Sequence, residues 1–207
     1  SFAIKSDKNV YFICFDLKIG GSENVISSDY VHDSKTYETF VDTVAAKGLT
    51  MQHPAVGTEY AFGSGKLIIM APDRIDPDDS NANSVVVKVV HGENAFMLMG
   101  DAEIEGEERM CAAGLDVSCK VLVLGHHGSA TATGWELLMN AVPEYAVISC
   151  GIDNSYGHPH EEVMERLEGS EIEVYRTDKQ GWISVVSDGS NLDWSQEPCN
   201  DYTPGVN

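Results

Sequence analysis

Short apolar runs of the β type recur along the chain, and between them lie stretches whose apolar positions return every three or four residues. The runs are NVYFICF, KLIIMAP, SVVVKVVHG, AFMLMGD, KVLVLGHH, YAVISCG, IEVYRTD and WISVVSDG, the first starting at Asn9 and the last at Trp182. From Ser34 to Lys47, Tyr37, Phe40, Val41 and Val44 share one helical face, and Gly48 follows as a stop, so the spacing predicts an amphipathic helix. Glu105–Ala113, Trp135–Ala141 and Pro159–Leu167 read the same way, the last with acidic residues in its first turn. Gly92, Glu93 and Asn94 predict a hairpin joining SVVVKVVHG to AFMLMGD. Strands interleaved with helices imply an α/β fold with sheet faces covered by helices. DRIDPDDSNANS, residues 73 to 84, is expected as an exposed loop, and residues 191 to 207 as an irregular tail with Trp194 as its anchor.

A length of 207 residues with 43% apolar residues is read as one domain spanning 1–207. The formal charge of −20 sets the average surface against duplex nucleic acid; a small phosphoester or a single strand is easier to accept. No apolar run approaches the roughly 18 residues of a membrane span, so the sequence as given is read as soluble, with a bacterial cytoplasmic or secreted location left open. The five cysteines form no CxxC pair; Cys14 and Cys150, in apolar runs, are expected to behave as small hydrophobes.

Candidate chemistry lies at strand ends, where a rigid scaffold presents side chains from the following loop. AFMLM closes on Gly100-Asp101, KVLVL on Gly125-His126-His127-Gly128-Ser129, and YAVISCG runs into Asn154-Ser155-Tyr156-Gly157-His158-Pro159-His160. Carboxylate and neutral imidazole are the donors that zinc takes and manganese accepts when a position stays open for water. A carboxylate can bridge two metals, the role that fits Asp101. Two adjacent imidazoles beside an apolar strand are costly to desolvate unless something bonds them. His32, His53 and His91 lack such company and read as surface or loop residues.

Taken in order, NANSVVVKVVHGENAFMLMGDAE, VLVLGHHGSATAT, PEYAVISCGIDNSYGHPH and VYRTDKQGWISVVSDG resemble the metallo-β-lactamase-fold domain associated with the competence protein ComEC and its free-standing relatives. The resemblance covers the chain from about Glu23 onward. It implies a four-layer αββα sandwich, a two-metal zinc or manganese site at its edge, and hydrolysis of phosphodiester or related ester bonds by metal-activated water, with a link to DNA uptake. By the same resemblance, Asp101 and His126 are expected as metal ligands. Asp101, His127 and His158 are expected to be catalytic, and Ser129, Asn154 and Tyr156 to contact substrate. Asn83 and Ser84 match a turn where related proteins carry a histidine ligand, and Arg176, Thr177 and Asp178 match a strand end near the same edge.

One departure divides the functional reading. The principal ligands of the superfamily come from an HxHxDH stretch before a Gly-Gly pair. The corresponding stretch here, FICFDLKIGG, places Ile13, Phe15, Leu17 and Lys18 at ligand positions. Residues 1–22 are thus divergent and the N-terminal layer is expected to be incomplete, which would leave an apolar edge for a homo-oligomer to cover. Two readings stand: a metal-dependent hydrolase, or a truncated or metal-free, inactive relative serving as a binding or scaffold domain.

Overall fold

The computed structural model describes residues 2–5, 10–13 and 25–206. In chain order the elements are β1 (Phe2–Lys5), β2 (Val10–Ile13), β3 (Val25–Ile26), α1 (Lys35–Ala46), β4 (Met51–Gln52), β5 (Glu59–Phe62), β6 (Gly65–Ala71), β7 (Val86–His91) and β8 (Asn94–Leu98). They continue with α2 (Ile104–Ala112), β9 (Val121–Val123), α3 (Trp135–Ala141), β10 (Tyr145–Ile148), α4 (Glu161–Gly169), β11 (Glu173–Arg176), α5 (Thr177–Gln180), β12 (Val185–Ser187) and β13 (Leu192–Trp194). A 3-10 turn covers Asn81–Asn83, and a tight turn with non-helical backbone at its two central residues covers Gly125–Gly128. The α/β expectation is borne out.

The centre is a seven-stranded sheet in the order β11-β10-β9-β8-β7-β6-β5. From β8 to β11 all neighbours are parallel, whereas β5 to β8 run antiparallel. The β7–β8 hairpin pairs His91 with Asn94, so the predicted turn closes in two residues, Gly92 and Glu93.

Period-two alternation sorts the strand side chains between two faces. Met97, Leu122, Ala146, Ile148 and Val174 pack under Met110 of α2, Leu137 and Leu138 of α3, and Val163, Met164 and Leu167 of α4. Leu98, Val121, Val123, Val147 and Tyr175 face the other way and meet Leu192 and Trp194 of β13 and Ile183. Tyr175 and Trp194 stack with ring centroids 4.0 Å apart. The tail expected to be irregular therefore contains a strand, because Trp194 anchors it to the sheet and β13 pairs with β12.

Predicted helices are found within two residues of their expected ends; Ser34 caps α1 by accepting from the Tyr37 N–H at 3.2 Å. The strands β3, β4 and β5 and the four-residue α5 were not anticipated, since segments this short carry little periodicity. The expectations for residues 13–18 as a lost ligand stretch, and for an incomplete N-terminal layer, fall outside the described residues apart from the backbone pairing of β1 with β2.

Candidate functional site at the sheet edge

Parallel strands end on the same edge, so the loops after β8, β9 and β10 converge. Antiparallel β7 begins at that edge too, and Ser84 just before it accepts a hydrogen bond from the Asp101 N–H at 3.1 Å. The loop after β9 is tied to the loop after β8 by the His126 N–H, which donates to the Gly100 carbonyl at 2.9 Å.

The glycines around the histidine pair are required by space. A Cβ on Gly125 would lie 2.5 Å from the Ala102 carbonyl oxygen, and one on Gly128 would lie 2.8 Å from the Pro159 Cβ. Between them His126 and His127 both adopt left-handed backbone, with φ of 48° and 58°. For residues with a Cβ this conformation costs about 1–2 kcal/mol each, and strain of this kind gathers at functional sites.

The two rings are anchored in the same manner. His127 Nδ1 lies 2.7 Å from the Ser149 carbonyl and His126 Nδ1 lies 3.0 Å from Glu103 Oε1. A carbonyl or carboxylate oxygen only accepts, so each Nδ1 carries the proton and each Nε2 is the lone-pair nitrogen of the neutral ring. His127 Nε2 sits 3.4 Å from Asp101 Oδ1. Two acceptors so placed call for a positive species between them, a shared proton or a cation.

His158 is buried, its ring centroid 5.7 Å from that of His126 and 6.3 Å from that of His127. Burial, followed by the neighbouring rings of His160, His126 and His127, lowers its pKa to about 4 against the pull of Asp101. His158 is accordingly neutral at physiological pH. His160 accepts from the Ala130 N–H at Nδ1 and donates from Nε2 to the Tyr156 carbonyl. Tyr156 stacks on His158 at 5.6 Å and is itself exposed.

Other expected residues hold the loops. Asn154 accepts from the His158 N–H at 2.9 Å and donates to the His158 carbonyl at 2.7 Å and to the Gly151 carbonyl, so its amide is used within its own loop. Ser129 is buried, with its hydroxyl 3.0 Å from that of Thr131. Asn83 ties the 73–84 loop through Asp76 and Asp79. Arg176, fully buried, pairs with Asp178 and donates to the carbonyls of Asp201 and Thr203, fastening the tail. Thr177 bonds both the N–H and carbonyl of Cys150 and braces the loop after β10.

Sequence reasoning missed Glu103 and Thr131. Glu103 Oε1 accepts from Thr131 Oγ1 at 2.9 Å and Asn81 Nδ2 at 3.3 Å as well as from His126. Its place two residues beyond Asp101, in GDAE, was the available signal.

The fit of zinc or manganese can be judged on these donors. Bonds of about 2.0–2.1 Å in tetrahedral geometry put ligand atoms roughly 3.3 Å apart, close to the Asp101–His127 separation. Yet a protein site of this type needs at least three donors, and among the described residues no group of three or more His, Cys, Asp or Glu side chains could hold a metal ion. The described set does not fit either metal as it stands.

Fold and site together define an α/β protein with an imidazole and carboxylate cluster where parallel strands end. No family profile matches the chain. It is 31% identical over 159 residues to ComE operon protein 3 of Bacillus subtilis, covering 77% of this chain and 20% of that protein. It is 42% identical over 104 residues to competence protein ComA of Neisseria gonorrhoeae, 50% of this chain and 15% of the relative. Over 117 residues it is 36% identical to recombination protein 2 of Haemophilus influenzae, 56% of this chain and 15% of the relative. The chain is thus related to a segment of ComEC-like competence proteins and spans a fifth or less of their length.

Proposed function

We propose that this chain is the hydrolytic part of a DNA-uptake protein, acting on phosphodiester bonds of single-stranded nucleic acid or a small phosphoester, on a metallo-β-lactamase-type sandwich. The observation that carries the reading is the Asp101–His127 pair, two acceptors 3.4 Å apart at one sheet edge, with His127 on a strained loop. The competence and recombination names of the relatives support the link to DNA.

Hydrolysis of a phosphodiester needs an acceptor for the proton of the attacking water and a donor for the leaving oxygen. His158, kept neutral by burial, has a lone pair to accept from water. A proton held between Asp101 and His127 Nε2 is the donor for the leaving oxygen. Tyr156, exposed beside His158, offers a ring face to a nucleobase.

The two-donor count favours a second reading, a non-catalytic relative that binds rather than cleaves. Hydrolysis of bis-p-nitrophenyl phosphate by the purified chain, alone and with added zinc or manganese, separates the two. The hydrolase reading expects turnover that falls about 100-fold or more in both Asp101→Ala and His127→Ala. No turnover under any of these conditions leaves only the binding reading.

A further inference from the structure

Glu103 occupies the N-cap position of α2, yet its side chain makes no capping bond to that helix. The carboxylate is directed into the site instead. One oxygen, Oε1, takes three donors from three separate segments: His126 Nδ1 after β9, Thr131 Oγ1 before α3, and Asn81 Nδ2 in the turn before β7. Thr131 and Asn81 fix the carboxylate from two separate segments, so its direction toward His126 is set before any ligand arrives. Thr131 is fixed in turn: its carbonyl accepts from the Ile104 N–H at 2.8 Å, next to Glu103 in the chain.

We infer that Glu103 is a positioning residue for this site: it holds the His126 ring with the proton on Nδ1, leaving Nε2 as the lone-pair nitrogen. A histidine side chain free in water prefers the opposite arrangement, with the proton on Nε2. The hydrogen-bond partner of one ring nitrogen decides the tautomer, and a carboxylate facing Nδ1 keeps the proton there. His126 thereby becomes a lone-pair donor of defined direction beside His158, on a loop whose backbone already bears the cost of left-handed geometry. Glu103 acts through His126 and needs no contact with the reacting atoms.

The inference rests on the reading of this cluster as functional, but its decisive test needs no turnover. Long-range proton–nitrogen correlation spectra of the 15N-labelled chain, taken at about pH 8.5 where an ordinary imidazole is neutral, report which ring nitrogen carries hydrogen. The His126 signals are assigned by their disappearance in His126→Asn. The wild type is expected to show Nδ1–H and a bare Nε2. Glu103→Ala should move His126 to Nε2–H or to a mixture, and Glu103→Gln, which keeps an acceptor oxygen, should retain Nδ1–H. Where the wild type turns over substrate, Glu103→Ala should lower kcat on the order of 10–100-fold. A wild-type His126 carrying its proton on Nε2 overturns the inference, whatever the variants do. So does an unchanged tautomer in a Glu103→Ala protein whose backbone amide spectrum shows it folded. Nδ1–H without any turnover upholds the positioning role and counts against the hydrolase reading alone.

Discussion

Two buried titratable residues set opposite pH trends in stability. His158 has its pKa lowered from 6.5 to about 4, so the folded state binds fewer protons than the unfolded chain between those values. Its contribution is complete above 6.5 and is lost as pH falls toward 4. Glu107 has its pKa raised from 4.5 to about 7, first by burial, even though the Thr133 and Gly134 N–H groups each donate to it at 2.7 Å. There the folded state binds the extra proton, and stability falls as pH rises from 4.5 to 7. In the wild type the two trends partly cancel. Urea midpoints measured from about pH 4.5 to 7 should show Glu107→Gln losing more stability on acidification than the wild type. His158→Gln should lose less. Parallel curves for all three proteins would contradict these assignments.

At the scale of elements, Gly128 joins the turn after β9 to the entry of α4. Its φ is 83° and an added Cβ would press on Pro159. Gly128→Ala is therefore expected to cost about 1–3 kcal/mol, read as a lower denaturation midpoint in urea, with loss of the His158 ring geometry. The same turn shows how far the sequence carried. Runs such as KLIIMAP and SVVVKVVHG announced the sheet because each is long enough for period two to emerge. The amphipathic spacing of Tyr37, Phe40, Val41 and Val44 announced α1 for the equivalent reason. Asp101, His126, His127 and His158 could be picked out because each lies in the loop that follows an apolar run. Glu103 carried only its place in GDAE as a signal, because its role depends on Asn81 and Thr131, which meet it only after β7, β8 and β9 pair. The distinct settings of His126, held by Glu103, and His127, facing Asp101, were likewise invisible in two adjacent identical letters. The tail was misjudged because Trp194 belongs to a three-residue strand whose only strong signal is one aromatic ring.

For the whole molecule, the sheet topology and the charge act together. Parallel order from β8 to β11 sends three chemistry-bearing loops to one edge, which is why residues far apart in the chain share one site. Among the described residues no helix is long and apolar enough to cross a membrane. A net charge of −20 opposes the dense phosphate array of duplex DNA more than it opposes a single strand. The most direct measurement is cleavage of an end-labelled oligonucleotide, single-stranded or duplex, by the wild type and by Asp101→Asn, with and without added zinc or manganese. Cleavage by the wild type is expected, faster on the single strand, with about 100-fold or greater loss on substituting Asp101. Cleavage that persists unchanged in Asp101→Asn, or none by the wild type with or without added metal, would contradict the proposed function.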